Sequence, residues 1–220
     1  MNIALIGYGK MGQLIEQIAL EKGHSISLIA TSKNPINKQN FSDIDVAIDF
    51  STPESAFSNI SQLLLKGIPV VSGTTGWLEK IEEIKKMAVE QETAFLYASN
   101  FSIGVNLFFE LNKKLNQLMH NHTDYKASIE EIHHTQKLDI PSGTALTLKS
   151  QISNTINIKS ERQENVPGTH IVEYTSTIDT ISISHQAHNR MGFVKGALLA
   201  AEWIIDKKGC FSISDILKIN

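Results

Sequence analysis

The stretch from His133 to Thr144 concentrates side chains that can bind an anion and move a proton. It leaves a predicted strand and ends at Pro-Ser-Gly-Thr, where a helix is expected to begin. Free N–H groups of Gly143 and Thr144 at that helix start favour an anion. His134 and Lys137 add positive charge. The stretch therefore predicts a site for a small carboxylate or dicarboxylate substrate.

Two side chains in this stretch are candidate proton donors. Hydride addition to a C=N or C=C–C=N unit needs a proton as well, and His133 and Lys137 are placed to supply it. Histidine titrates near neutral pH, and a lysine beside other cations can be tuned toward it. The residues alone leave open which of the two gives the proton.

A metal site built from Glu131, His133 and His134 is the alternative for the same residues. Neighbouring residues on a strand point to opposite faces, so the two histidines would not easily share an ion. The chain has one cysteine and no spaced H-x-x-x-H pattern. We therefore expect no metal here. A purely structural role for both histidines is the other alternative.

A second motif lies near the start of the chain, where residues 7–12 read G-Y-G-K-M-G. This G-x-G-x-x-G follows an apolar run and opens a helical pattern. In that setting the glycines permit a tight turn, close approach to a pyrophosphate and close helix–strand packing. A simple tight turn is the alternative to dinucleotide binding. The expected cofactor contacts are Gly7, Tyr8, Gly9, Lys10, Met11 and Gly12.

The end of the second predicted strand bears on the choice of cofactor. An NAD site usually has an acid there to bind the ribose hydroxyls. This chain has Thr31, Ser32 and Lys33 instead, with Lys10 as a second nearby cation. These groups suit a 2′-phosphate, so the cofactor is NADPH or NADH, with NADPH binding at least as well. A solvated loop lysine is the alternative for Lys33.

Polar or glycine-rich turns follow three further predicted strands. The carboxyl ends of parallel strands meet at one edge of a sheet, where such sheets bind ligands. Phe101 is expected to cover the nicotinamide. The predicted cofactor contacts in these turns are Phe50, Ser51, Gly73, Thr74, Thr75, Ala98, Ser99, Asn100 and Phe101.

Strand and helix patterns alternate over the first hundred residues. Strands are predicted at Asn2–Ile6, Ser25–Ala30, Val46–Phe50, Ile68–Ser72 and Thr93–Ala98. Helices are predicted at Lys10–Lys22, from Pro53 to Gly67, and over Thr75–Glu92, with a loop at Thr31–Ser42. Strands this apolar are buried on both faces, which predicts a Rossmann-like, doubly wound parallel sheet.

The second half of the chain predicts an α+β domain with a mostly antiparallel sheet. Its strands are expected at Tyr125–His133, Ile171–Thr175 and Asp179–His185. Its helices are expected at Val105–Met119, Gly143–Ile156 and Met191–Asp206. We predict a dinucleotide-binding domain of residues 1–101 and 191–220, and a substrate-binding and oligomerisation domain of residues 102–190.

Composition limits the other partners. A net charge of -3 favours neither nucleic acid nor an acidic membrane, and no run reaches the length of a membrane helix. A single cysteine fits a reducing compartment, and the N-terminus lacks the pattern of a signal peptide. We expect a cytoplasmic protein.

These motifs together resemble the dihydrodipicolinate reductase family, also called 4-hydroxy-tetrahydrodipicolinate reductase, of lysine and diaminopimelate biosynthesis. The resemblance runs nearly end to end. Its most specific part is E-x-H-H-x-x-K-x-D-x-P-S-G-T-A at residues 131–145. The other matching segments are Lys-Met-Gly at 10–12, residues 49–53, 72–76 and 100–106, and the pattern from His185 through Arg190 to Ala197.

The resemblance implies an activity and specific roles. The enzyme would reduce 4-hydroxy-tetrahydrodipicolinate to tetrahydrodipicolinate with NADH or NADPH, with His133 as acid–base histidine and Lys137 as proton donor. It would assemble as a homotetramer through the C-terminal sheet. The implied substrate-binding residues are His134, Ser142, Gly143, Thr144 and Arg190.

The chain departs from the family pattern in its cofactor region. The first loop has one residue fewer than the common G-x-x-G-x-M-G, and Lys10 stands where arginine is usual. The loop after the second strand is shorter and lacks the acid. Another two-domain dehydrogenase and a catalytically inactive nucleotide sensor are the alternatives. The former would lack the His-His…Lys…Pro-Ser-Gly-Thr run, and the latter would lack His133 or Lys137.

Overall fold

A computed structural model describes residues 1–153 and 156–218. It divides the chain into two compact units, Met1–Ser102 with Phe193–Asn220, and Ile103–Gly192. The strands of the described residues are β1 (Asn2–Ile6), β2 (Ser25–Ala30), β3 (Val46–Asp49), β4 (Val70–Ser72), β5 (Ala94–Tyr97), β6 (Lys126–His133), β7 (Ile158–Arg162), β8 (Gly168–Thr175), β9 (Thr180–Ala187) and β10 (Gly209–Phe211). The α-helices are α1 (Lys10–Glu21), α2 (Pro53–Leu64), α3 (Ile81–Glu90), α4 (Ile103–Met119), α5 (Gly143–Ile152), α6 (Met191–Ile204) and α7 (Ile213–Leu217).

The first unit is built on a six-stranded parallel sheet in the order β10-β5-β4-β3-β1-β2. Its central strands are almost wholly buried because helices cover them, as their continuous apolar runs predict. α2 begins at Pro53, and the Thr52 N–H donates to the Ser55 hydroxyl at 3.4 Å. The predicted Rossmann-like parallel sheet is confirmed.

Several boundaries in this unit differ from the sequence prediction. The helix expected over Thr75–Glu92 is wrong at its start: a 3-10 turn at Leu78–Lys80 precedes α3. Gly76 has a left-handed φ of +83°, and the buried Trp77 donates its indole N–H to the Thr74 carbonyl at 2.7 Å. These contacts hold a turn where a helix was expected. The loop at Thr31–Ser42 contains a short 3-10 helix, Ile36–Lys38.

The second unit contains a four-stranded sheet in the order β7-β6-β8-β9. β8 pairs antiparallel with β6 and β9, whereas β7 runs parallel to β6. α4 and α5 pack on one face, over a core that includes Phe108, Ile129 and Val172. The mostly antiparallel sheet is therefore confirmed.

The sequence prediction missed β7 altogether and started β8 three residues late, at Ile171 rather than Gly168. The helix predicted over Gly143–Ile156 ends at Ile152, and positions 154 and 155 lie outside the described residues. β10 and α7 were also not predicted. Among the described residues, no helix combines the length and apolarity needed to cross a membrane.

One position in α6, Gly196, requires glycine because it contacts backbone within the first unit. A Cβ on Gly196 would lie 1.8 Å from the carbonyl oxygen of Phe101. The helix can reach this position only because that residue has no side chain. The Phe101 backbone, which follows β5 in the chain, and the buried face of α6 are therefore in direct contact.

We expect Gly196→Ala to lower the free energy of unfolding by about 1–3 kcal/mol through overpacking against backbone. Glycine to alanine inside a helix otherwise stabilises by about 1 kcal/mol, so the sign of the change is informative. Urea denaturation followed by circular dichroism measures it. The exposed neighbour Lys195→Ala is the control, and equal stability of wild type and Gly196→Ala would contradict this reading.

Candidate active site

The three glycines of the first loop have different surroundings. Gly7 has φ +90°, and a Cβ there would lie 2.2 Å from the Phe50 carbonyl oxygen. A Cβ on Gly12 would lie 2.5 Å from the Gly7 carbonyl oxygen. Gly9 instead faces open space, with no atom within 4 Å of a Cβ. Gly7 and Gly12 are thus required by packing, and Gly9 leaves the backbone open to a ligand at the start of α1.

A buried carboxylate, Asp49, ties together the turns after β3 and β4. Its Oδ2 accepts hydrogen bonds from the hydroxyls of Ser72 at 2.9 Å and Thr74 at 2.8 Å. The Thr74 oxygen in turn accepts the Ser51 N–H at 2.9 Å. Burial raises the pKa of Asp49, and the hydroxyl hydrogen bonds oppose this only partly. Sequence reasoning treated Asp49 only as part of a motif.

Aromatic rings pack beside these turns. The Phe50 and Phe101 ring centroids are 5.9 Å apart. A Cβ on Gly73 would lie 2.3 Å from the Phe50 ring, so this position admits no side chain. The structure therefore brings together Phe50, Ser51, Gly73, Thr74 and Phe101 from the predicted cofactor contacts.

Other predicted cofactor residues lie at the surface or have local partners. Tyr8 donates to the Glu16 carboxylate, and the Thr31 hydroxyl accepts the Asn34 N–H at 3.3 Å. The Asn100 side chain accepts the Ser102 N–H at 2.8 Å. Of the rest, Met11 is half-buried, Ala98 is buried, and the exposed ones are Lys10, Ser32, Lys33, Thr75 and Ser99.

The second unit gathers a buried cluster around Glu131 on β6. The Ser142 N–H donates to both Glu131 oxygens at 3.1 Å, and the Ser160 hydroxyl donates to Oε1 at 2.8 Å. His133 Nδ1 lies 3.4 Å from Oε2, and His170 Nε2 lies 3.8 Å from it. Glu131 is fully buried. The pairing of β6 with β7 and β8 sets Glu131 opposite both Ser160 and His170.

His170 is the member of this cluster that sequence reasoning missed. Its ring centroid lies 4.9 Å from that of His133, and its Nε2 is 3.2 Å from the Ser142 hydroxyl. The prediction began β8 at Ile171 and so left His170 outside the strand. A strand starting at Gly168 would have placed His170 on the inward face by simple alternation.

The cluster has a definite charge pattern. Burial lowers the pKa of His133, which the charge of Glu131 opposes, and burial with the neighbouring His133 lowers the pKa of His170 to about 4. Burial acts to raise the pKa of Glu131, but hydrogen bonds from Ser142 and Ser160 hold it below its ordinary value. At neutral pH the cluster is an ionised carboxylate beside a neutral His170.

Lys137, Asp139 and Ser142 lie at or beside the start of α5. The Lys137 side chain pairs with Asp139 at 2.7 Å, and the Lys137 backbone N–H donates to the His134 carbonyl at 3.1 Å. The buried Ser142 caps α5 by accepting the Ala145 N–H at 3.2 Å. Gly143 faces open space, Thr144 is half-buried, and Arg190 is exposed.

Metal-ligand atoms of Glu131, His133 and His170 all lie within 4.8 Å of one another. The structure thus brings His170, rather than His134, to the other two residues. The carboxylate already accepts hydrogen bonds from Ser142 and Ser160, and Arg162 Nη1 lies 3.6 Å from its Oε1. These groups stabilise the charged form of Glu131.

A glycine loop that opens a parallel sheet, together with a buried Glu–His cluster on a second sheet, is typical of a nicotinamide-dependent oxidoreductase. Family models described as Dihydrodipicolinate reductase, N-terminus and C-terminus, match residues 1–101 and 104–217. The chain therefore belongs to the dihydrodipicolinate reductase family. The family, enzyme class and reductase function in lysine and diaminopimelate biosynthesis expected from the motifs are confirmed.

Two curated relatives span nearly the whole chain. The 4-hydroxy-tetrahydrodipicolinate reductase of Christiangramia forsetii is 49% identical, covering 99% of this chain and 98% of its own. That of Thermosipho africanus is 34% identical with the same coverage, 99% and 98%.

Solved structures show the same fold. A dipicolinate-bound dihydrodipicolinate reductase from a Paenisporosarcina species has a TM-score of 0.77 at 22% identity, covering 96% of this chain and 97% of its own. Aspartate dehydrogenase from Thermotoga maritima reaches 0.54 at 14% identity, covering 92% and 95%. The chain thus shares its fold with other dehydrogenases. Its membership of the dihydrodipicolinate reductase family excludes the alternative that it is another two-domain dehydrogenase.

Asp49 provides a test of the first-unit network. Because its folded-state pKa is raised, its contribution to stability is present below the unfolded value of about 3.9 and is lost as the pH rises through the folded value. Asp49→Asn cannot lose a proton. We therefore expect the variant to gain stability relative to wild type from about pH 4 upward.

Urea denaturation at a series of pH values measures this difference. Asp43→Asn, an exposed position in the same unit, is the matched control. A difference between wild type and Asp49→Asn that stays constant with pH would show that burial of Asp49 does not disfavour its ionisation.

Proposed function

We propose that this chain reduces 4-hydroxy-tetrahydrodipicolinate to tetrahydrodipicolinate through His133, Lys137 and the start of α5. The observation that carries the proposal is the convergence of His133 and the start of α5 beside the Glu131 carboxylate, with Lys137 close enough for its charge to act on His133. Near-complete similarity to curated reductases of that name supports the substrate. When bound, the reduced nicotinamide supplies the hydride.

The 4-hydroxyl group of the substrate leaves as water, which gives the conjugated imine dihydrodipicolinate. Hydride addition to that imine then requires one proton. Lys137 is half-buried, and its Nζ pairs with Asp139 at 2.7 Å next to the start of α5. Burial lowers the pKa of His133 and so disfavours its charged form. These environments favour Lys137 as the donor of the proton and His133 as the acid–base group beside it.

The start of α5 suits the carboxylates of the substrate. Burial raises the pKa of Asp139, but hydrogen bonds from Lys137 and the Gly143 backbone outweigh it and hold the value low. The same donors therefore already stabilise a carboxylate. His134, Gly143 and Thr144 are the proposed contacts for a dicarboxylate, with Ser142 shaping the helix start and Arg190 as a further cation.

The residues of the first unit fit a nicotinamide dinucleotide. Gly7 and Gly12 leave no room for side chains, and Gly9 leaves its backbone open, as binding of a pyrophosphate requires. Ser51, Thr74 and Phe101 would border the nicotinamide. Exposed Lys10, Ser32 and Lys33 favour NADPH as at least the equal of NADH. A cytoplasmic homotetramer stays a prediction.

Lys137→Ala is expected to lower turnover by about 100- to 10,000-fold, the usual range for removing a general acid, with folding retained. The assay couples formation of the substrate from pyruvate and aspartate semialdehyde to loss of NAD(P)H absorbance. Lys126→Ala, at an exposed position on β6, is the control. Wild-type turnover in Lys137→Ala would reject its assignment as the donor.

Cofactor choice is tested by Michaelis constants. We expect the value for NADPH to be no higher than that for NADH. Lys33→Ala should raise the NADPH value alone by roughly fivefold, since an exposed ionic contact contributes up to about 1 kcal/mol. Lys38→Ala, another exposed lysine of the same loop, is the control. A strong NADH preference in the wild type would refute the expectation.

A further inference from the structure

The Glu131 carboxylate is hydrogen-bonded to the backbone at the start of α5. Both oxygens accept the Ser142 N–H at 3.1 Å, and Ser142 is the N-cap of α5. The Glu131 side chain is fully buried, so this contact is shielded from solvent. The direction of the Gly143 and Thr144 N–H groups therefore depends on Glu131.

The same carboxylate faces His133. Its Oε2 lies 3.4 Å from His133 Nδ1, and this buried nitrogen has no hydrogen-bond partner among residues 1–153 and 156–218. At this distance the carboxylate acts on the imidazole through its charge: burial lowers the pKa of His133, and the charge of Glu131 raises it against that lowering. His133 Nε2 lies against Gly168, where a Cβ would come within 3.0 Å.

His170 closes the other side of the carboxylate. It stands opposite Glu131 on β8, packs edge-on against the His133 ring, and contacts the Ser142 hydroxyl at 3.2 Å. Because it is neutral, it encloses the site without competing for the negative charge.

We propose that Glu131 is the positioning residue of the reaction, orienting the His133 imidazole and the substrate-binding start of α5 through one carboxylate. This inference rests on the proposed function and deepens it. These two roles of Glu131 affect different kinetic constants. Orientation of His133 acts on turnover, whereas orientation of the α5 start acts on binding of the substrate carboxylates.

The variants Glu131→Gln and Glu131→Ala separate these tasks. Glutamine keeps an oxygen to accept the Ser142 N–H but loses the charge that faces His133. We expect it to lower kcat by about 10- to 100-fold with little change in KM, since misplacement by about 1 Å costs on that order. Alanine removes both contacts, so KM and the inhibition constant of dipicolinate should rise as well.

Glu130→Gln is the matched control. Glu130 is the neighbouring residue on β6, points to the opposite face and pairs with the exposed Lys159 at 2.8 Å. We expect it to keep wild-type kcat, KM and dipicolinate inhibition. Where Glu131→Ala fails to fold, Glu131→Gln alone decides the proposal.

A pH titration supplies a readout that a merely structural contact would not move. Burial lowers the pKa of His133, the charges of Glu131 and Asp139 raise it, and those of Lys137 and Arg162 lower it. The His170 ring also packs against His133 from β8, and burial lowers its own pKa to about 4. Loss of the Glu131 charge should therefore move the His133 titration, and the corresponding limb of the rate profile, to lower pH. NMR follows the histidine without any need for activity.

The outcomes are distinct. Wild-type protein that binds dipicolinate but reduces no substrate would refute the proposed function, while the NMR titration would still test the positioning of His133. An active wild type with unchanged kcat and His133 titration in Glu131→Gln would overturn the inference alone. So would loss of activity on chelation that zinc restores, because Glu131 would then be a metal ligand.

Discussion

A carboxylate cut off from water must obtain all of its stabilisation from the protein, and the second unit is arranged around that requirement at Glu131. An unsatisfied buried charge costs several kcal/mol. Three strands and one helix start meet this cost, with β6 providing the residue, β7 a hydroxyl, β8 a histidine and α5 an N–H. The position of each element is therefore constrained by the same group.

The first unit also contains a buried carboxylate, Asp49, but its pKa is shifted in the opposite direction to that of Glu131. The hydrogen bonds that Asp49 accepts do not outweigh its burial, which raises its pKa. Glu131 has an N–H donor and a nearby guanidinium, and its pKa lies below the ordinary value. The contrast lies in the balance between burial and hydrogen bonding: burial dominates at Asp49, whereas the hydrogen bonds from Ser142 and Ser160 together outweigh burial at Glu131.

Sequence patterns predicted those elements that depend on residues close together in the chain. Continuous apolar runs indicated β1 and β3, and G-x-G-x-x-G indicated the turn into α1, because packing and backbone geometry act there within a few residues. β7 was not predicted because Ile158 is the one apolar residue in Ile158–Arg162, so the strand has no apolar pattern. Its pairing with β6 stabilises it instead. His170 reaches Glu131 only through the register of β8, a non-local property that spacing along the chain does not encode. The start of α3 was misplaced because Gly76 adopts a left-handed turn.

The position of β10 has a consequence for biosynthesis. It pairs with β5 at the edge of the first sheet, yet it is translated more than a hundred residues later, after the whole of the second unit. Until residues 209–211 leave the ribosome, β5 is an open edge with unpaired N–H and C=O groups. The nascent chain therefore carries an aggregation-prone strand for several seconds at ordinary elongation rates. Premature termination within α6 would leave that edge permanently uncovered.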